Sequence, residues 1–208
     1  MKLVIQIPAW NEEEHLPMAL AALPREVPGF DELEVIVIDD GSSDRTAAVA
    51  RENGAHVVEI STHRGLAVAF SAGVAAALDR GADVIVNTDA DCQYDARDIP
   101  TLTESILSGE AEMVIGDRQV HTLSHFSAIK KALQKLGSAV VRRLSRTPVR
   151  DATSGFRAIS REAALKLHVF TRFTYTLETI LQAGEAGLRV VSVPIRVSDA
   201  VQRPSRLF

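Results

Sequence analysis

The sequence predicts an α/β protein with one mostly parallel, Rossmann-like sheet flanked by helices. Three observations carry this. Short Val- and Ile-rich segments recur through the first 116 residues. Between them lie stretches with the apolar spacing of helices. Segments such as 35–38 and 84–86 are continuously apolar, as strands buried on both faces are, and such strands are joined by right-handed crossovers.

Residues 3–7 form the first strand. Leu16, Ala19, Leu20 and Leu23 follow the i, i+3, i+4, i+7 rule, so 12–23 is helical. A second strand covers 33–38. Residues 44–53 form a helix with Ser42 or Ser43 as N-cap and Gly54 as its stop. A strand at 56–60 precedes a helix at 66–80, closed by Gly81, and the fourth strand is 84–88. Ile99, Leu102 and Ile106 share one face of a helix over 98–108, with Pro100 in its first turn. The fifth strand is 113–116. There the alternation breaks. A longer basic helix is expected over 124–144, a strand over 156–159, helices over 161–167 and 176–186, and a closing strand over 189–195.

The chain has 208 residues, which fits one domain with extensions. We expect a single domain over 1–208. With 46% hydrophobic and 24% charged residues, wholesale disorder is excluded. There are 27 acidic and 23 basic residues, a net charge of −4, which argues against nucleic acid as the main partner. Cys92 is the single cysteine, so an internal disulfide and a structural zinc site are both excluded. The N-terminal apolar run stops at Pro8, too early for a signal-peptide core. The run 66–78 contains Ser71 and Gly73 and falls short of the roughly 20 apolar residues that span a bilayer, so it reads as a buried helix. The basic tail at 201–208 is either frayed chain or the stump of a membrane-facing segment. The expected location is cytoplasmic.

In parallel α/β sheets ligands bind beyond the carboxyl ends of the strands. Strand one is followed by Pro8-Ala9-Trp10-Asn11-Glu12, strand two by Asp39-Asp40-Gly41-Ser42-Ser43-Asp44, strand four by Asp89-Ala90-Asp91-Cys92-Gln93, and strand five by Asp117-Arg118. Each run alone suits a capped loop. Together they place charge along one edge, where like charges repel unless a cation sits among them. If the chain stays extended at Asp89-Ala90-Asp91, the two carboxylates point the same way. Such a pair suits Mg²⁺ or Mn²⁺, with Gln93 adding an amide oxygen. Asp39 or Asp40 can accept from a nucleobase or ribose. Asn11 and Glu12 either cap the first helix or read a sugar or base. Trp10 either stacks on a base or fills the sheet edge. His63-Arg64-Gly65 is either a turn or a donor contact at a helix start. No G-x-x-x-x-G-K-S/T loop is present, and no G-x-G-x-x-G comes after strand one, which argues against P-loop hydrolysis and dinucleotide redox chemistry.

Five segments, in order, resemble family 2 glycosyltransferases of the GT-A fold, most closely those that use polyprenyl phosphates. They are Ile7-Pro8-Ala9-Trp10-Asn11-Glu12-Glu13, the run from Val37 to Thr46, Thr88-Asp89-Ala90-Asp91-Cys92-Gln93, Gly116-Asp117-Arg118, and Asp151-Ala152-Thr153-Ser154-Gly155-Phe156-Arg157. Val191-Ser192-Val193-Pro194-Ile195 matches the family's closing strand. The resemblance implies a nucleotide-sugar half over about 1–117 and an acceptor half over about 118–208. It implies that Pro8, Trp10, Glu12 and Asp39 border the nucleoside, and that Asp89 holds the donor near ribose and diphosphate. Asp91 and Gln93 would carry Mg²⁺ or Mn²⁺. Inverting transfer from a UDP- or GDP-sugar is expected, with Asp91 and Arg118 as the catalytic residues.

The acceptor decides whether a base is needed. A hydroxyl must lose its proton, whereas a polyprenyl phosphate is already an anionic nucleophile and needs cations to position it. By resemblance Arg118 binds the acceptor phosphate, with Lys130 as the further basic residue and Gln134 where the family has Ser. Lys130, Lys131 and Lys135 equally fit a solvated helix face. Arg157 meets the donor phosphates or the acceptor, or is structural. Glu178 is the base candidate for a hydroxyl acceptor, against a helix N-terminal charge. The leading expectation is thus a transferase acting on a lipid phosphate at the cytoplasmic face of a membrane. The alternatives are a hydroxyl-acceptor enzyme and a non-catalytic nucleotide-sugar binding module.

Overall fold

The computed structural model describes residues 1–120, 128–171 and 174–198. The first half runs β1 (Lys2–Ala9), α1 (Leu16–Ala22), β2 (Glu32–Asp39), α2 (Thr46–Glu52), β3 (His56–Glu59), α3 (Leu66–Asp79) and β4 (Val84–Asn87). A 3-10 turn (Ala96–Asp98) leads into α4 (Ile99–Leu107) and β5 (Met113–Asp117). Then come α5 (Ala128–Ser145), β6 (Arg157–Ser160), α6 (Arg161–Ala164), α7 (Tyr175–Glu185) and β7 (Val190–Pro194). All seven expected strands are present in one sheet of order β3-β2-β1-β4-β6-β5-β7.

Strand β6 is antiparallel to both β4 and β5, and every other described pair is parallel. This reversal matters for the site. The segment entering β6, residues 151–156, arrives at the edge where the other strands end. Pro8 lies beyond the last β1–β4 pair, Gln6 with Asn87, so its missing N–H breaks no bond of that ladder.

The expected 161–167 helix ends early, at Ala164, and two helix starts fall later than expected, both for one reason. Helix α1 begins at Leu16, not residue 12, because the Glu12 and Glu13 N–H groups donate to Thr46 Oγ1 (2.9 Å) and an Asp44 oxygen (3.2 Å). Helix α2 begins at Thr46, and neither Ser42 nor Ser43 caps it. Asp44 Oδ1 accepts from Thr46 N at 2.9 Å, while Ser42 Oγ accepts from Asn11 N at 2.9 Å. The polar groups expected to cap a helix instead join two loops. The start of the expected 124–144 helix and the tail at 201–208 lie outside the described residues.

Alternation along β1 sorts the core. Leu3, Ile5 and Ile7 pack with Leu16, Val37, Ile99 and Leu102 on one face. Val4, Ile36 and Ile38 pack with Phe70, Val74, Tyr175 and Ile180 on the other. Two glycines allow close approach on this second face. A Cβ at Gly73 would overlap Gln6 Oε1, and one at Gly184 would overlap the Ser145 carbonyl where α7 meets the end of α5. Gly137, on α5, has open space around it. Gly184→Ala is therefore expected to cost about 1–3 kcal/mol by overpacking, lowering the thermal midpoint by about 2–10 °C. Gly137→Ala should leave the midpoint unchanged or raise it, since it only stiffens the unfolded chain. Parallel melts of the two variants check this contrast.

Candidate active site

The loops after β1 and β2 form one unit. Asn11, in the left-handed region at φ 52°, accepts from Ser43 N through Oδ1 at 2.8 Å, and Glu13 accepts from Arg45 N at 2.9 Å. Of the two acids after β2, Asp40 is committed to structure. Its carboxylate accepts from Arg64 N (2.9 Å) and Gly65 N (2.7 Å) and sits 2.9 Å from His63 Nδ1. Residues 63–65 therefore form a turn pinned to Asp40. Asp39 is buried and accepts from Ser42 N at 3.2 Å through Oδ1. Trp10 stacks on His63, centroids 4.1 Å apart, and is 37% exposed. The Glu12 carboxylate lies 3.6 Å from His15. Pro8, Trp10, Glu12 and Asp39 thus share one end of the edge.

Beyond β4 the chain does not stay extended. It turns at Ala90–Asp91, Asp91 Oδ1 accepts from Gln93 N at 3.0 Å, and Cys92 takes φ 58°. The expectation that strand alternation aligns the two carboxylates is corrected, because the chain turns at Ala90–Asp91; the two still interact through their charges. Burial, reinforced by the Asp91 charge, pushes the Asp89 carboxyl up to about 7, while Arg118 and Arg157 pull the other way. Cys92 is half-buried, and burial raises its thiol too. Gln93 N and O are both engaged, with Asp91 and with Ser198 N (2.9 Å). Residues 195–198 lie back across 93–95, and Arg196 Nε donates to Asp98 at 2.9 Å.

Facing these carboxylates is Arg118. Its Nε and Nη2 donate to the two oxygens of buried Asp151 at 2.7 and 3.0 Å, and Nη2 also donates to Thr153 Oγ1 at 2.7 Å. Burial alone would raise the Asp151 carboxyl, but the Arg118 guanidinium outweighs it and holds the group below its usual range. Gln134 Nε2, from α5, donates to the same Thr153 hydroxyl at 3.2 Å. Lys130 lies on α5, and its side chain is outside the described residues.

Arg157 is not at an open surface. Its side chain is fully buried, with the guanidinium 5.0 Å from the Tyr175 ring centroid. It donates to the carbonyls of Ser154 and Thr176 and to Thr179 Oγ1 (2.7 Å). The expectation that it meets a ligand directly is corrected for that reason. Above it runs a buried polar column. Gln6 Nε2 donates to Asn87 Oδ1 at 2.9 Å, and Asn87 Nδ2 donates to Gly155 O and Tyr175 Oη, each at 2.9 Å. Tyr94 Oη accepts from Gly155 N at 3.0 Å. A Cβ at Gly155 would stand 3.0 Å from Tyr175 Oη and 3.2 Å from Asp89 Oδ1, so glycine lets this segment close on Asp89.

Sequence reasoning does not single out Tyr94, Asn87, Tyr175 or Gln6, and it gives Asp151 and Thr153 no role of their own. Gln6 and Asn87, polar residues within apolar strands, are the available signal. Glu178 lies elsewhere. Its oxygens accept from Phe170 N (2.9 Å), Thr171 N (3.1 Å) and Thr171 Oγ1 (2.8 Å). Against a burial effect that would raise it, these bonds hold its carboxyl below the ordinary value. Among the described residues no group of three or more His, Cys, Asp or Glu could hold a metal, so protein ligands alone do not complete a cage.

This fold and acidic edge match a defined class. The family model for Glycosyl transferase family 2 matches residues 4–167, so the chain belongs to that family and is a glycosyltransferase. It is similar to the undecaprenyl-phosphate mannosyltransferase of Micrococcus luteus, 31% identical over 206 residues, covering 94% of this chain and 83% of that protein. It is similar also to the polyprenol monophosphomannose synthase of Mycolicibacterium smegmatis, 29% identical over 208 residues, covering 94% and 77%. Among solved structures, glucosyl-3-phosphoglycerate synthase of Mycobacterium tuberculosis with phosphoglyceric acid gives a TM-score of 0.73 at 25% identity, over 98% of this chain and 73% of that one. The same synthase with Mn²⁺, uridine diphosphate and phosphoglyceric acid gives 0.74 at 23% identity, a likeness of fold.

The raised Asp89 carboxyl gives a signed prediction for the metal-free protein. In the unfolded chain the group titrates near 3.8; folded, it titrates at about 7. Between these values the unfolded state loses its proton first, so stability falls as pH rises and levels off above pH 7. Asp89→Asn removes that loss. The variant should melt higher than the parent at pH 8, by on the order of 2 kcal/mol or several degrees, and the gap should close towards pH 4. Melting curves across this range in a chelating buffer measure it.

Proposed function

We propose that this glycosyltransferase moves a sugar from a UDP- or GDP-sugar to a polyprenyl phosphate, with inversion at the anomeric carbon. The observation that carries the reading is the charge layout of one sheet edge. Asp89 and Asp91 stand on one side. On the other stands an arginine already fixed by Asp151 and Thr153. An acceptor that arrives as an anion needs that arginine and no base. The names of the two curated relatives point to the same acceptor class.

At the donor end, Trp10 offers its exposed ring face to the base, with Pro8, Glu12 and Asp39 bordering the nucleoside. Asp91 and Gln93 would hold Mg²⁺ or Mn²⁺, with Asp89 beside the ribose and diphosphate. The oxygen donors of Asp91 and Gln93 fit a hard divalent cation, with substrate oxygens left to complete the shell, and the adjacent Asp89 carboxyl is raised by burial first and by the Asp91 charge second. When bound, that ion neutralises the departing nucleoside diphosphate. Arg118, held by two bonds to Asp151, presents its remaining Nη1 to the acceptor phosphate and fixes the attacking oxygen in line with the sugar carbon. Lys130 would add a second cation from α5. Arg157 acts from within, as a buried positive charge that keeps Asp89 ionisable.

The hydroxyl-acceptor alternative loses support, because the oxygens of Glu178 are spent on the 170–171 backbone. No described helix is long and apolar enough to cross a membrane. A lipid acceptor nonetheless places the enzyme at a membrane surface, on our reading the cytoplasmic one.

Asp91→Asn is expected to weaken Mn²⁺-dependent nucleotide binding by about tenfold or more with the fold intact. Arg118→Lys keeps the charge but loses the fork, and should lower kcat/KM for polyprenyl phosphate by about a hundredfold while nucleotide affinity stays within about threefold. Glu178→Gln should retain transfer. Binding calorimetry and a radiolabelled lipid-extraction assay read all three. Collapse of nucleotide affinity in Arg118→Lys, or loss of transfer in Glu178→Gln, would overturn the assignment.

A further inference from the structure

Helix α5 carries an unusual outer face. Ile129, Leu133, Leu136, Val140 and Leu144 are each between 50% and 75% exposed. Their spacing of 4, 3, 4 and 4 residues puts them on one stripe about 80° wide, at 100° per residue. The opposite face is the packed one, where Ser138, Val141 and Ser145 are buried. A stripe of this length left in water is uncommon on a soluble surface. The helix contains Lys130, Lys131, Lys135, Arg142 and Arg143 and no acidic residue, in a chain whose net charge is −4. Lys135, Arg142, Arg143 and, just beyond the helix, Arg146 are exposed, and none of them forms an ion pair among the described residues.

We propose that α5 lies flat on an anionic lipid bilayer, its apolar stripe sunk to the acyl boundary, with Arg143, which borders the stripe, among the phosphate headgroups and the other Lys and Arg residues of the helix adding to the attraction. The charge pattern selects this occupant. A second copy of the chain would oppose one basic face to another, and the chain's own residues 201–208 carry Arg203 and Arg206 and no acid. An interfacial helix is defined by the features present here: an apolar face, a basic polar face and low overall hydrophobicity. The same helix supplies Gln134 to the Thr153 hydroxyl that also binds Arg118. Docking α5 therefore sets the Arg118 cluster at headgroup depth, where the phosphate of a lipid acceptor resides. The inference rests on the lipid-phosphate reading for its purpose, and names the surface that serves that site.

Vesicle sedimentation tests it with no donor and no polyprenyl phosphate present. The protein should bind vesicles containing about one-third phosphatidylglycerol at least tenfold more tightly than pure phosphatidylcholine, and the preference should shrink as salt rises. Leu133→Glu with Leu136→Glu should abolish binding, with an unchanged thermal midpoint and unchanged nucleotide affinity. Ile129→Asn with Leu144→Asn, at the two ends of the stripe, should weaken it by about tenfold. Absence of binding to anionic vesicles, or equal binding by both double variants, overturns the proposal. So does a dimer in gel filtration that the glutamate variant dissociates, which would give the stripe to a second copy. Transfer to a detergent-dispersed lipid phosphate reports separately on the function, so failure of either reading leaves the other measurable.

Discussion

Asp89, largely out of water at the end of β4 and next to the Asp91 charge, is the group around which the rest of the active edge is arranged. Burial and the neighbouring charge together raise the Asp89 carboxyl to about 7. Two cations oppose that shift. Arg118 stands at the edge, tied to Asp151, and Arg157 stands beneath with its guanidinium on Tyr175. On the proposed reading, Asp89 and Asp91 are the carboxylate pair that meets the divalent ion. A fully paired site would have no electrostatic reason to recruit one.

The reversed strand β6 makes this arrangement possible. Were β6 parallel to its neighbours, residues 151–156 would enter at the far edge, and Asp151 could not reach Arg118. The antiparallel insertion between β4 and β5 brings the Asp151–Thr153 turn to the working edge and seats Arg157 opposite Asn87 and Ile115. The polar column of Gln6, Asn87, Tyr175 and Gly155 then fixes the height of that segment against Asp89. The bonds made in this column favour one geometry, because a shift breaks them, while Gln6 Oε1 and Arg157 Nε stay buried with no partner among the described residues.

The sheet, its helices and the acidic edge are legible in the sequence, because they rest on periodicity and on the residues placed just after each strand. Asp89, Asp91, Trp10 and Arg118 all stand at such positions. The features that are not legible depend on pairing at long range. Ser42 and Ser43 look like helix caps, and only the adjacency of two loops turns them into a clasp with Asn11, which Asp44 extends to Glu13 while also bonding the start of α2. For Arg157 the sequence leaves a ligand contact and a structural role open, and only the direction of β6 shows that it is interior. Glu178 sits where a base is wanted by sequence, yet its oxygens are consumed by the 170–171 turn. The apolar stripe of α5 is in the sequence as well, but periodicity alone does not tell a helix face turned inward from one turned out.

The most direct test of the central claim is the proton count on nucleotide binding. Calorimetry with the metal-loaded nucleotide diphosphate, in buffers of differing ionisation enthalpy, separates protons released by the protein from the heat of binding. If Asp89 and Asp91 face a divalent ion, binding should release close to one proton at pH 6, about half a proton at pH 7 and almost none above pH 8. Asp89→Asn should release none at any of these pH values. Binding with no proton release in the parent at pH 6 would contradict the account, since the raised carboxyl would then lie away from the metal and its nucleotide.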